Sequence, residues 1–538
     1  MVFTTLDYIV FGAYVLLIIG VGLWVSRDKS GHEKNAEDYF LAGKSLPWWA
    51  IGSSLIASNI SAEQFIGMSG SGFALGLGIA TYEWMAAVTL LVVAYFFLPI
   101  FLKKGIYTMP QFLEVRYNHT VRVVMAVFWL LVYVFINLTS VLYLGALAIE
   151  TIMGVDLMWA IVGLALFAAL YSLYGGLAAV AWTDGIQVLF LIGGGLVTTF
   201  MALDAVGGDA GWLAGFSKML EVAPEKFDMI FSRDATYVDV ASGQTKSAYD
   251  LLPGISVLVG GMWIANLSYW GCNQYIIQRA LAAKSIAEAQ RGVAFAGYLK
   301  LLLPLIVVVP GIAAFVLKQQ GVEVDITKAD QAYPWLLNKF VGPGLKGLAF
   351  AALVAAVVSS LASMMNSAST IFTMDLYKDL IDKGATQKRL VAVGRVSSFV
   401  ALIIGAAIAP QLSSLEQGFQ FIQDFSGLIS PGIVAIFLLG LFWKKATSNA
   451  ALAAALGSIP LSLLYNSLFP GLPFINRMGL VFLTLSVAMV LISLLEGKGQ
   501  DHPKGIEVEK GLFKSDPVFN VAAFGILGIT AVLYALFW

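Results

Sequence analysis

The sequence predicts an all-α polytopic membrane protein, and three observations predict it. Of its 538 residues, 59% are hydrophobic and 12% charged, where an average soluble protein carries about 25% charged residues. The mean hydropathy is +0.83, and the 53 glycines suit membrane helices, which tolerate Gly and satisfy their own backbone in lipid. The apolar residues fall in runs long enough to cross a bilayer, which takes roughly 20 residues per helix. This arithmetic excludes an ordinary soluble enzyme and makes residues 1–538 a single integral membrane domain.

Fourteen runs qualify as spans. In order they centre on 6–26, 47–72, 76–102, 121–152, 158–174, 182–206, 253–277, 290–317, 347–377, 390–410, 417–443, 448–468, 474–495 and 517–537. The first has no Lys or Arg before it and no small-residue cleavage site after Trp24, so it is expected to be a retained helix.

Basic residues then orient the set. Arg27, Lys29, Lys34 and Lys44 fill the first connector, Lys103, Lys104, Arg116 and Arg122 the third, and Arg279, Lys284 and Arg291 the seventh. Lys378, Lys383, Lys388 and Arg389 fill the ninth, Lys444 and Lys445 the eleventh, and Lys498, Lys504, Lys510 and Lys514 the thirteenth. The short even connectors at 73–75, 153–157 and 411–416 contain no Lys or Arg. The positive-inside rule therefore places the odd connectors in the cytoplasm and both termini outside, in a multi-pass protein of the cell (inner) membrane. The long stretches 207–252 and 318–346 carry a few basic residues on the outer side, where long loops translocate regardless of charge, and are expected to cap that face.

Several function classes drop out. Cys272 is the one cysteine and cannot form an internal disulfide. His32, His119 and His502 all fall in polar connectors, so no histidine pair holds haem, copper or zinc in the membrane. A net charge of −1, with basic residues spread among loops, sets aside nucleic acid as a partner.

The second and seventh spans are poor uninterrupted helices. The second carries the polar cluster Ala57-Ser58-Asn59-Ile60-Ser61-Ala62-Glu63-Gln64. The seventh carries Gly260-Gly261 and then Asn266-Leu267-Ser268-Tyr269-Trp270-Gly271-Cys272-Asn273-Gln274. They lie five helices apart, the pattern of an inverted repeat with discontinuous helices at the midplane. The first repeat would occupy 47–206 and the second 253–443, with an additional N-terminal helix at 6–26 and additional C-terminal helices over 448–537.

A broken membrane helix leaves carbonyls without an i+4 partner, and these must line a cavity or bind an ion. Sodium, a hard cation, prefers such oxygen ligands, and Ser359 and Ser360 in the ninth span offer two hydroxyls. Serines in membrane helices also bond to the i−4 carbonyl or to a neighbouring helix, so the pair alone leaves both readings open.

Ionisable groups at depth narrow the choice. Glu83 in the third span and Lys300 in the eighth each cost at least about 2.5 kcal/mol to insert, which makes them functional by default, and Gln423 lies within the eleventh. A snorkelling Lys300, an interfacial Glu83 and a Gln423 that joins two helices are the structural alternatives. With Gln64 and Asn266 these residues form a set of donors and acceptors suited to a neutral polyhydroxylated ligand, and Tyr269 supplies an apolar face. Met68, Tyr82 and Phe419 lie outward of this set, and Tyr269 with Trp270 inward, as gates or as packing. Asp184, at the start of the sixth span, would help an ion leave or cap that helix.

At these residues the sequence resembles the sodium:solute symporter family, its sodium/glucose cotransporter branch and, within it, the bacterial sodium/galactose transporters. The resemblance rests on Asp38-Tyr39-Phe40-Leu41-Ala42-Gly43-Lys44 before Pro47-Trp48-Trp49, on Asn59-Ile60-Ser61-Ala62-Glu63-Gln64-Phe65-Ile66-Gly67, and on Tyr171-Ser172-Leu173-Tyr174-Gly175-Gly176-Leu177-Ala178-Ala179 before Trp182-Thr183-Asp184. Asn266 to Arg279 and Val358 to Met365 extend it. It implies fourteen helices around a five-plus-five inverted-repeat core like that of the bacterial leucine transporter. By motif it makes the carbonyls of Ala57, Ile60 and Ala356 and the hydroxyls of Ser359 and Ser360 the sodium ligands. It makes Gln64, Glu83, Asn266, Lys300 and Gln423 the sugar contacts, with Tyr269 stacked on the pyranose. Met68, Tyr82 and Phe419 become the outer gate, with Trp270 beside the ring. One position departs: the galactose-transporting relatives show Tyr-Glu-Trp-Met-Ser, and this chain has Tyr82-Glu83-Trp84-Met85-Ala86, so a hydroxyl contact is missing.

The function expected is a sodium-coupled secondary active symporter that imports a neutral sugar, galactose or glucose, by alternating access. One charge crossing 100 mV supplies about 2.3 kcal/mol and a tenfold sodium gradient about 1.4 kcal/mol, enough for a solute ratio of several hundredfold. The alternatives are a sodium symporter for an amino acid, sialic acid, a vitamin or inositol, or, from a different class, a solute sensor or channel. An enzyme is not expected, for want of a His or Cys constellation.

Overall fold

The computed structural model describes residues 3–27, 35–323, 325–414, 418–509 and 511–538, without the side chains at 171, 174, 175, 414 and 418–421. Among the described residues, eleven helices are long and apolar enough to cross a membrane. Three expected spans fall outside that set. The second is broken: helix Trp48–Asn59 stops at Ile60, in extended conformation (φ −74°, ψ 110°), and the chain resumes as a π-helical turn over Glu63–Met68 and the short helix Ser69–Ala74. The seventh is broken in the same way: helix Gly261–Cys272 stops at Asn273 (φ −89°, ψ 123°) and Gln274–Leu281 follows. The fifth is a shorter apolar stretch, Leu157–Leu170, at the start of a 51-residue helix, Leu157–Gly207, interrupted at Gly176.

Gly176 holds φ 59°, ψ −152°, a backbone region that L side chains rarely adopt. A Cβ there would lie 2.3 Å from the Tyr39 carbonyl oxygen. The Tyr39 hydroxyl donates to the Leu173 carbonyl at 3.0 Å. Two segments far apart in the sequence, Asp38–Lys44 and Tyr171–Ala179, therefore meet at one kink.

Burial separates the centre from the rim. The apolar core of the span that begins at Leu345 is 94% buried, whereas those of Thr5–Val25, Ser448–Leu468, Phe474–Gly497 and Pro517–Leu536 are 17 to 28% buried. The first helix, capped by a reciprocal Thr4–Asp7 box, docks through Asp7, whose Oδ1 accepts from the Gly344 and Gly347 amides at 2.8 Å each. That satisfies two orphan donors at the start of the central helix Leu345–Ile371. The 207–252 stretch packs onto the chain between the second and third spans. Its Lys226 is buried, donates to the Ala74 carbonyl at 2.5 Å and lies 4.2 Å from the Phe315 ring centroid.

Three basic residues read as connector charges are instead structural. Arg116 is buried and donates to the carbonyls of Gly440, Trp443 and Lys444, satisfying the end of helix Gly418–Phe442. Arg122 is buried against Asp375 and Glu114. Arg279 is fully buried on Gln274–Leu281, just below the second break.

Candidate functional site

The first break leaves carbonyls free for local reasons. The Ser61 amide donates to the Gln64 side-chain oxygen at 2.9 Å, the Glu63 amide to the Ser61 hydroxyl at 3.0 Å, and the Gln64 amide to the Ser61 carbonyl at 3.2 Å. Those three amides are the i+4 donors that Ala57, Asn59 and Ile60 would have had in a continuous helix. Ser360 turns its hydroxyl toward this opening, donating to the Ser58 carbonyl at 3.0 Å and the Ile60 carbonyl at 3.3 Å.

Ser359, beside it, donates to Asp184, and the second Asp184 oxygen accepts from Ser54 at 2.5 Å. Asp184 is fully buried and lies within the Leu157–Gly207 helix, so capping a helix start is not its role. Arg279 reaches the same cluster from the second broken span, donating to Ser54 at 3.2 Å, to Ser363 and to the Tyr275 carbonyl. A hydrogen bond of 2.8 Å joins Ser58 to Ser363. The two broken spans and the ninth span are thus tied beneath the break by hydroxyls that compensate one buried charge pair.

Above the break, Lys300 donates to both Glu83 and Asn59. Their pairing, with the Lys300 and Glu83 side chains 1% and 5% exposed, excludes the snorkelling and interfacial alternatives. Lys300 Nζ also lies 4.9 Å from the Trp270 ring centroid. Asn59 passes the chain on, its amide donating to the Tyr269 hydroxyl at 2.9 Å, and Tyr275 bonds to that same hydroxyl. Trp270, Tyr269, Tyr275 and Tyr133 then stand edge to face at centroid separations of 5.1 to 5.7 Å, a favoured geometry for packed rings.

These groups line one cavity of about 120 Å³. Of the expected sugar contacts, Gln64, Glu83, Asn266, Tyr269, Lys300 and Gln423 all line it, as do Tyr82, Trp270 and Ala86. Gln64 keeps its amide nitrogen free of the break, and Asn266 donates to the Met262 carbonyl at 3.2 Å, leaving its side-chain oxygen over. Met68 is buried and is not part of the cavity wall. The Phe419 side chain lies outside the described residues. Both breaks reach the cavity, through Asn59 and Asn273.

Five further groups belong to this region: Asn59, Glu63, Tyr133 and Tyr275 line the cavity, and Arg279 lies beneath it. Asn59 and Glu63 stood inside the quoted motif, and polarity at a break was the signal for each. Tyr133, whose hydroxyl donates to Asn273, sits in the apolar run from Val123 to Ile136 and gave none. Arg279 looked like any basic residue at a span end, and Tyr275 like any helix aromatic.

The comparisons agree with this architecture. The sequence profile of the sodium:solute symporter family matches residues 39–457. The chain is 55% identical to a sodium/glucose cotransporter of Vibrio parahaemolyticus, across 99% of this chain and 98% of that one. It is 35% identical to sodium/myo-inositol cotransporter 2 of Bos taurus, across 83% of this chain and 67% of that one. Among solved structures it superposes on a substrate-bound, outward-open sodium-coupled sialic acid symporter with a TM-score of 0.77 and 25% identity, covering 91% of this chain and 98% of that one. A nucleobase-cation-symport-1 transporter shares the fold at a TM-score of 0.55 and 13% identity, covering 89% and 98%. The chain belongs to the sodium:solute symporter family and is a sodium-coupled secondary transporter of a small solute, built on the broken-helix fold of the bacterial leucine transporter.

Proposed function

We propose that the solute is a neutral sugar, galactose or glucose, bound in the cavity that both helix breaks reach. The observation that carries this is the Lys300–Glu83 pair: the one cation on the cavity wall among the described residues is already held by a carboxylate. A carboxylated solute such as sialic acid would have to compete with Glu83 for Lys300 and face Glu63 as well. A hydroxylated solute meets donors and acceptors from Gln64, Glu83, Asn266, Lys300 and Gln423, with Tyr269 against its ring. Trp270 and Tyr269, which line the cavity, are the proposed inner gate of this site, and Tyr82, also on its wall, is the proposed outer gate.

Sodium is the co-substrate, held by the carbonyls of Ala57, Ile60 and Ala356 and the hydroxyls of Ser359 and Ser360. The freed carbonyls at the break and the Ser360 contact to Ile60 favour this assignment. An ion joining the second span to the ninth favours one conformation over the other, and only such a preference lets sodium drive transport. Asp184, bonded to Ser359, is the group toward which sodium leaves. The architecture we propose has fourteen spans, with repeats at 47–206 and 253–443 flanked by 6–26 and 448–537, and both termini outside. The matching extended residues, Ile60 and Asn273, support the pairing of the repeats.

Counterflow of labelled galactose in proteoliposomes, with unlabelled sugars as competitors, tests the reading. Galactose and glucose should compete with each other, and sodium should be required. Competition by myo-inositol or sialic acid alone would reassign the solute.

A further inference from the structure

A second cavity, of about 360 Å³, lies away from the transport site and is lined by Lys44, Lys103 and Lys284 over an apolar floor that includes Phe101, Ile106 and Leu512. We propose that it is a binding site for the headgroup of an acidic phospholipid. Three lysines from three distant parts of the chain share one cavity, and among the described residues no Asp or Glu lines it. The wall is braced by the backbone: the Leu46 amide donates to the Ala282 carbonyl at 3.1 Å, and the Lys284 amide to the Leu46 carbonyl at 3.3 Å. This ties the Lys44 segment to the Lys284 segment before any ligand arrives.

The position fits a lipid. One side of the cavity is the end of the membrane helix Leu77–Lys104, and another is the start of Ile286–Gln319, so it sits where two spans leave the bilayer. The charges are available. Lys284 is exposed and has no charged partner among the described residues. Lys44 Nζ rests 5.6 Å from the Tyr107 ring centroid, and among the described residues Lys103 shares its charge only with the exposed Glu509, at 2.6 Å. The nearby Glu288 carboxylate is turned away, accepting from the Trp48 amide at 2.7 Å. A basic cluster at a span end with apolar walls suits an anion that carries acyl chains, because a free anion gains nothing from the floor. The site does not depend on which solute is transported.

Native mass spectrometry of the purified full chain tests it with phosphatidylglycerol, phosphatidylcholine and inorganic phosphate as separate probes. Phosphatidylglycerol should remain bound where phosphatidylcholine does not, and K44Q/K284Q should lower its occupancy roughly tenfold. K284Q alone, at an exposed position that leaves the backbone brace intact, should lower it part of the way. K44R/K284R should restore it, and K378Q/K383Q, the same charge removed from another connector, should leave it unchanged. Equal retention of phosphatidylcholine, displacement by millimolar phosphate, unchanged occupancy in K284Q and K44Q/K284Q, or an equal loss in K378Q/K383Q would each overturn the proposal.

Discussion

Lys300, on the eighth span, and Glu83, on the third, form a buried ion pair whose ammonium is also held by Asn59 at the end of the first broken half-helix. One cation thereby joins the packed helices to the break. Removing one partner strands a buried charge, which costs about 3 to 5 kcal/mol, whereas removing both does not. E83Q should therefore lower the unfolding temperature in detergent more than E83Q/K300M does. Additive losses would show that the two residues act independently.

Ala86 lines the cavity, at the position where the resemblance drawn from the sequence leads us to expect a serine. A hydroxyl restored there adds one hydrogen bond, worth about 0.5 to 1.5 kcal/mol, so A86S should lower the half-saturating galactose concentration roughly 2- to 10-fold. Uptake kinetics measure this directly. An unchanged value would place Ala86 out of reach of the sugar.

Gly176 tests the kink. With positive φ and the Tyr39 carbonyl 2.3 Å from the site of a Cβ, G176A should cost at least about 1 to 3 kcal/mol and reduce folded yield. G163A, where a Cβ meets nothing within 4 Å, should leave both yield and melting temperature unchanged. Equal behaviour of the two variants would remove the kink's structural role.

Lys226, in the loop outside the membrane-spanning helices, gives a pH dependence. Burial pushes its ammonium down to about 8 from 10.5. Below pH 8 the folded protein carries the full cost of the buried charge. Between about 8 and 10.5 the unfolded chain binds more protons, so this group makes the fold more stable as pH rises, by up to about 1.4 kcal/mol per pH unit. The melting temperature of the wild type relative to K226M should therefore rise from pH 7.5 to pH 10. A constant difference would contradict the burial.

Much of this was legible in the sequence because lipid imposes simple costs. Hydropathy marks the spans, and the expense of a charge at depth singles out Glu83 and Lys300. The break at Ile60 was readable from its polar cluster. The second break, at Asn273, was harder to place because polar residues are scattered from Asn266 to Gln274 and Gly260-Gly261 is an equally good interruption. What composition cannot convey is where a side chain near a span end points. Arg116, Arg122 and Arg279 count as loop charges in any topology rule, yet each is buried and bonded to groups on other helices. Asp184 likewise reads as a helix cap until the helix is seen to restart at the Gly176 kink, about two turns before it.

If sodium acts on sugar binding through the Ser360 side of the break, the two ligands are energetically coupled there. Calorimetric titration of galactose into wild type and S360A, with and without sodium, measures that coupling directly. Sodium should raise the wild-type affinity roughly 5- to 150-fold, the range of a coupling free energy of about 1 to 3 kcal/mol. S360A should bind galactose with the same weak affinity in both conditions. A full sodium effect retained in S360A would contradict the account.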